Sequence, residues 1–374
     1  MKKAGFAWAL AAASVPTSAF AQSTVTLYGI VDTGIEFITH ATPTGGSVAR
    51  MPVIGGGDVP SRWGLKGAED LGGGLKAIFT LESGFSVSNG SLLQSGRLFG
   101  RQAYVGLSSD SWGKITFGRQ YSMMTWGMVD ANIMGATGLG GVGALDGALL
   151  ADRFDNAVAY MATFSGLTVG ATYSLGRDTS AAGNCAGQSG DDFVACRGLS
   201  AMLKYDAKRW GVAATYEELR GGAGAAPITV VPGAKGIAFS HSGDTDRRYQ
   251  LNGYFIAGPV RVGAGWIHRF LRGDIQSAKT DIQYVGATLL TGTWQFDAQV
   301  SHIGYSGGDA NGILSALRAN YLLSKRTALY GVVGFMKNSG KGATYSVSAG
   351  TAIPASPLPG GNQVGLEVGI RHTF

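Results

Sequence analysis

The chain has 374 residues, 61 of them Gly and 10 Pro; 45% are hydrophobic, only 14% are charged, and the formal net charge is +6. Gly at more than twice its ordinary share, with charge at little over half of the roughly 25% usual in soluble domains, points away from an ordinary soluble domain. The apolar content excludes disorder, the lack of a three-residue Gly period excludes collagen, and two Cys exclude a disulfide scaffold or a four-Cys zinc site.

The first residues read as an address. Lys2 and Lys3 precede a mostly apolar stretch, Ala4 to Val15, and Ala19-Phe20-Ala21 puts small residues at both positions of a cleavage site. This is the pattern of a secretory signal cut before Gln22; a membrane anchor would need a longer run. Two segments are therefore expected: residues 1–21, a signal peptide, and 22–374, the mature protein. Without Lys2 and Lys3, 28 basic residues stand against 24 acidic, or +4. So small an excess argues against a nucleic-acid partner. Beyond residue 21 no apolar run reaches the roughly 18 residues of a membrane helix.

From Ser23 onward the chain alternates with a period of two, the mark of strands. Val25, Leu27, Val31, Ile35 and Phe37 share one side of the first. Trp294, Phe296, Ala298 and Val300 alternate with Gln295, Asp297, Gln299 and Ser301. Val364, Leu366, Val368, Ile370 and Phe374 alternate with Gln363, Gly365, Glu367, Gly369, Arg371 and Thr373. The spacing predicts sixteen strands: 23–37, 59–68, 74–85, 98–108, 113–120, 155–162, 167–176, 198–206, 210–219, 246–257, 260–271, 280–290, 293–304, 313–323, 326–337 and 362–374. Each is long enough to cross a bilayer when tilted. Short links such as Gly258–Pro259 and Thr291–Gly292 alternate with long ones at 38–58, 86–97, 121–154, 177–197, 220–245 and 338–361. Short turns on one rim and long loops on the other mark a transmembrane antiparallel β-barrel. Sixteen strands would enclose water. A closed sheet satisfies every backbone group within lipid and needs apolar residues on its outer face alone. Tyr28, Trp63, Trp112, Trp210, Trp294 and Phe374 are expected near the two membrane interfaces.

Several stretches carry a more specific likeness: Ser23-Thr-Val-Thr-Leu-Tyr-Gly-Ile-Val-Asp32, Ser61-Arg-Trp-Gly-Leu-Lys-Gly-Ala-Glu-Asp-Leu71, Leu81-Glu-Ser-Gly-Phe85, Gly100-Arg-Gln-Ala-Tyr-Val-Gly-Leu107, Gly113-Lys-Ile-Thr-Phe-Gly-Arg-Gln-Tyr121 and the terminal Phe374. With these the chain resembles the Gram-negative general porins, trimeric sixteen-stranded outer-membrane barrels, and among them the beta-proteobacterial type. The resemblance implies an outer-membrane channel for passive diffusion of small hydrophilic solutes and ions. It also implies a homotrimer in outer-membrane lipid, a third long loop folded into the lumen, and a C-terminal strand whose Phe374 is read by the barrel-assembly machinery. No cofactor, metal or catalytic role is implied.

Selectivity is decided where a channel is narrowest. The third loop, 121–154, is rich in Gly and Met, with Met123, Met124, Met128 and Met134, and carries Asp130, Asp146, Asp152 and, at its edge, Asp155. Such a loop can pack its apolar residues on the inner wall and present acids to the pore. The opposite wall should be basic. Arg62 shares a face with Gly64 and Lys66, while Trp63 and Leu65 point to lipid. The resemblance places Arg62, Arg119 and Arg153 on pore-facing basic positions; Arg101 is a fourth candidate, and Glu82 belongs to the lumen by its place in the family segment. A charge facing lipid near mid-membrane costs roughly 2–4 kcal/mol, which favours the lumen for any mid-strand Arg. Arg119 conflicts with this, because it has the parity of Ile115 and Phe117; a bulge or the strand end would resolve it. An Arg-bearing wall and a positive net charge predict weak anion preference.

Cys185 and Cys196 share one long loop, where an exported protein can join them in a disulfide; two free thiols are the alternative. Gly138-Leu-Gly-Gly-Val-Gly143 fits a dinucleotide-binding pattern only formally, with no βαβ context. The five His share no metal-ligand spacing. A barrel enzyme, an adhesive surface barrel and a solute-specific porin are the competing classes, and no catalytic cluster stands out for the first.

Overall fold

A computed structural model describes residues 23–52, 57–149, 152–178, 185–188, 190–349 and 355–374; the signal segment expected at 1–21 lies outside them. The described chain forms one antiparallel sheet of sixteen long strands and one three-residue strand. In chain order these are β1 (Thr24–Ile38), β2 (Val48–Arg50), β3 (Arg62–Gly72), β4 (Leu75–Gly84), β5 (Gln102–Ser109), β6 (Gly113–Tyr121), β7 (Arg153–Phe164), β8 (Leu167–Ser174), β9 (Gly198–Asp206), β10 (Trp210–Arg220), β11 (Thr245–Ala257), β12 (Val260–Arg272), β13 (Ser277–Thr291), β14 (Trp294–Tyr305), β15 (Asn311–Leu322), β16 (Thr327–Ser339) and β17 (Gln363–Thr373). The sequence expectation misses only β2, which lies inside the 38–58 connection and pairs Arg50 with Glu36 of β1.

Every long strand pairs with its neighbour, and β1 closes the ring. Its first half lies against β3, with Leu27 opposite Leu65. Its second half lies against β17, with Ile35 opposite Val368. The sheet therefore has no free edge, and backbone groups are paired strand to strand.

Burial along the strands runs opposite to that of a soluble protein. Val368 is 64% exposed while its neighbour Glu367 is 2% exposed; Val300 is 47% exposed and Gln299 2%. Apolar side chains face out around the ring, and most inward side chains are polar. Aromatic residues gather outside at the short-turn rim, where the ring of Trp294 lies 4.8 Å from that of Tyr321 and Trp210 lies 5.5 Å from Tyr205. Amphipathic rings suit the boundary between lipid and water. Tyr28 departs from the interfacial expectation. It takes the inward parity of β1, and its hydroxyl donates to Glu82 Oε2 at 3.0 Å.

The short turns use left-handed glycines: Gly258 has φ 59° and Gly292 φ 58°, a backbone that costs other residues strain. The connection between β6 and β7 does not stand outside. It opens with the helix α1 (Met123–Met128), passes a 3-10 turn at Val142–Ala144, and lies against the inner wall.

Candidate pore constriction

The inner wall from β9 to β16 explains why this loop folds inward. Inward positions there that would normally be polar are Ile267, Ile282, Ile303, Leu314, Val332 and Met336, all at most 2% exposed. They form one cluster with Met124, Met128, Met134, Leu139 and Val142 of the loop. Burying a side chain of this size stabilises by about 1.5–3 kcal/mol, so the Met-rich loop and the apolar patch cover each other.

Polar contacts fix the loop along its length. Asn252 Nδ2 donates to the Gly127 carbonyl at 3.0 Å, and Met134 N donates to Gln299 Oε1 at 3.2 Å. Arg318 donates to the carbonyls of Ile133 and Met134, each at 3.2 Å. Gly138 N donates to the Gly57 carbonyl at 2.9 Å, and Gly140 N to that of Val347 at 2.9 Å.

Across from this covered patch, basic residues converge on the wall formed by β3–β7. Arg62 comes from β3, opposite Gly84, and Glu82 from β4, opposite Gly64; Arg101 comes from just before β5, Tyr121 from the end of β6 and Arg153 from the start of β7. Glu82 takes Arg101 Nε at 2.7 Å and lies 3.7 Å from Arg62 Nε. The Tyr121 hydroxyl accepts from Arg101 at 2.5 Å and from Arg153 at 2.8 Å. The Arg153 guanidinium lies 4.4 Å from the Tyr121 ring centre, in cation–π range. Two guanidinium groups, Arg62 and Arg101, thus share one carboxylate, and Tyr121 joins Arg153 to them. Lys66 lies further along β3 with its side chain inward, is exposed, and sits 5.5 Å from the Tyr28 ring centre.

Arg119 does not join this group. The pairing of β6 with β7 shifts register between Gly118 and Gln120. The bulge leaves Arg119 opposite Ala103, a neighbour of the outward Val105, and it bonds to the Gly100 carbonyl at 2.7 Å and to Asp155. Asp155 also holds Arg97 at 3.2 Å. Arg119 and Asp155 therefore form a pair at the long-loop end of the wall, where Arg119 lines the same open polar recess as Arg97, Arg153 and Arg177. The same bulge turns Tyr121 inward between Arg101 and Arg153.

The loop acids also depart from expectation. Asp146 is turned to the wall, 3.3 Å from Arg248 Nε and 3.3 Å from Arg269 Nη1. Burial alone would raise its pKa; the two guanidinium groups outweigh that and hold the carboxyl well below the usual carboxylate range. Asp152 lies 3.9 Å from the same Arg248. Asp246 and Glu217 complete this buried network at 2.7 Å from Arg269 and 3.3 Å from Arg248. Asp146 is thus an anchor of the loop, whereas Asp152 stays partly exposed and lines the open recess beside Arg153. Asp130 remains partly exposed, paired with Lys204 and 3.3 Å from Arg261 Nη2.

Cys185 and Cys196 are joined in a disulfide. Phe374 ends the chain on the outer face, its backbone paired with Gly29.

Sequence reasoning missed Tyr28, Tyr121, Lys114 and Trp126 as lumen residues, and Arg248, Arg269, Arg261 and Arg318 as the cations that hold the loop. The inward parity of Arg248 and Arg269 was a usable signal; their loop partners were not.

Comparison with known proteins agrees with this geometry. A family model described as Gram-negative porin matches residues 7–341. An outer membrane porin protein of Bordetella pertussis is 32% identical over all of both chains. Outer membrane porin protein 32 of Delftia acidovorans is 30% identical, again over all of both. The solved anion-selective porin from Comamonas acidovorans superposes with a TM-score of 0.77 at 26% identity, covering 94% of this chain and all of that one.

Proposed function

The chain belongs to the Gram-negative porin family, and from that premise we propose how its channel selects among solutes. It is an outer-membrane channel through which small hydrophilic solutes and ions diffuse passively. The channel weakly prefers anions and needs no chemical step. One observation carries this reading: Arg62 and Arg101 share the single carboxylate of Glu82, and Arg153 stands beside them through the Tyr121 hydroxyl, whereas Asp130, Asp146 and Asp152 of the facing loop lie close to other cations. An anion crossing the narrow zone meets uncompensated positive charge on one wall and neutralised acids on the other. Lys66 extends the positive track below it. The name of the Comamonas relative describes an anion-selective porin, which supports the same sign.

The assembly that accompanies this reading is a homotrimer, exported by cleavage after residue 21 and recognised through the strand ending in Phe374 by the barrel-assembly machinery. The reversal potential across a lipid film in a KCl gradient tests the selectivity. Anion preference supports the reading, and clear cation preference refutes it.

A further inference from the structure

The outer wall of the barrel carries a groove over β14–β16. In one outward row of the sheet Phe296 stands beside Ala319 and Gly331; in the next, Ala298 stands beside Leu317 and Val333. The small residues therefore lie on a diagonal that passes between Phe296 and Leu317, and the groove along it holds about 410 Å³. Its floor is open: a Cβ on Gly331 would meet only the Glu367 carbonyl, at 3.9 Å. The groove lies within one leaflet. Ala319 and Leu317 are three and five residues from Leu322, where β15 ends at the short-turn rim. At about 3.4 Å per residue and a tilt near 45°, those are depths of about 7 and 12 Å, inside one half of a hydrocarbon core about 30 Å thick. The turn that joins β15 to β16 carries Lys325 and Arg326, both exposed, and among the described residues no carboxylate pairs with either.

We propose that this groove and its rim bind an anionic phospholipid of the periplasmic leaflet, the side on which short turns lie. One acyl chain lies along Ala319 and Ala298, and the phosphate meets Lys325 and Arg326. Lipid chains touch the whole outer wall; what singles out this place is a concave apolar track that ends beside two unpaired cations. A zwitterionic phospholipid can fill the track but brings its own cation to the rim. A neighbouring copy of the chain would have to cover Lys325 and Arg326 as well, and burying a charge without a partner is costly. The proposal rests on the membrane barrel and not on the sign of the channel's selectivity.

The test is native mass spectrometry of the purified protein in detergent, titrated with phosphatidylglycerol or phosphatidylethanolamine of the same chains, with the retained lipid counted. Phosphatidylglycerol should be retained at a concentration about 5- to 25-fold lower, since each cation near an anionic lipid is worth about 5-fold. Lys325→Gln with Arg326→Gln should bring the two lipids level. Gly331→Leu fills the groove and should lower retention of both; Ala298→Leu should do the same from a second strand, should the first variant fold poorly. Lys208→Gln with Arg209→Gln alters a turn beside the exposed, bulky Leu203, Tyr205 and Val212, and should change neither. Equal retention of the two lipids by the starting protein would overturn the proposal, as would undiminished retention in the groove variants or an equal loss in the Lys208 and Arg209 variant. Loss of the oligomer in both groove variants would give the groove to a neighbouring copy and overturn it too.

Discussion

Replacing Arg62 by Gln removes one of the two positive charges that share the Glu82 carboxylate, so the charge of that group falls from +1 to 0. An anion passing about 5 Å from the guanidinium loses about 0.8 kcal/mol of attraction if the medium is as polar as bulk water, and more if the narrow zone is less polar. That is about a 4-fold drop in anion occupancy, since each 1.4 kcal/mol is tenfold. Cation occupancy changes the opposite way, so the chloride-to-potassium permeability ratio should fall by about 4-fold or more at low salt. Screening sets a ceiling: at 0.1 M the Debye length is about 10 Å, and the effect should shrink as salt is raised toward 1 M. The side chain is partly exposed and its pairing with Glu82 is long, so the barrel should keep its stability. The assay is the reversal potential in a tenfold KCl gradient, for the original protein and the variant in the same lipid. A reversal potential that does not move toward cation preference would refute the placement of Arg62 on the conducting path.

Three further outcomes follow from the same structure. Asp146→Asn leaves Arg248 and Arg269 short of a buried carboxylate, and breaking such a pair costs roughly 3–5 kcal/mol; the loop should loosen, read as added current noise and a lower melting temperature in detergent. The pH dependence has the matching sign: a carboxyl held below its unfolded value of about 3.9 contributes fully above that pH and loses the contribution only as pH falls through the lower folded value, so noise should stay flat from pH 7 to about 4 and rise below it. Leu317→Arg puts a charge on the outer face at the middle of β15, where Leu317 is 62% exposed; it should cost roughly 2–4 kcal/mol in a refolding titration in lipid, although Arg318, one residue on and facing inward, is accommodated.

Much of this architecture is legible in the chain because a barrel wall is written locally. Parity alone puts Leu65 outside and Lys66 inside, and the strand limits fall within a few residues of those observed, as at 293–304 against Trp294–Tyr305. What parity cannot see is a register change. Tyr121 leaves the outward side that its spacing assigns, while Arg119 of the same parity keeps its place opposite Ala103, because a bulge beside Gly118, at φ 130°, shifts the pairing. Nor can local reading find partners across the lumen. Asp146 meets Arg248 over a separation of 102 residues, and no pattern near either one shows it, so an acid that looks free along the chain proves to be an anchor. The short β2 was hidden for a different reason, since three residues are too few to display alternation.

The central claim is that one face of each strand meets water and the other hydrocarbon, and a one-residue step on β3 tests it most directly. Because the only two cysteines are joined to each other, single cysteines can be placed at Lys66 and at Leu65 without background. A water-soluble thiol reagent should modify Lys66→Cys and lower the single-channel current, and should leave Leu65→Cys in a lipid bilayer unmodified and its current unchanged. Equal modification of the two, or the reverse pattern, would contradict the account.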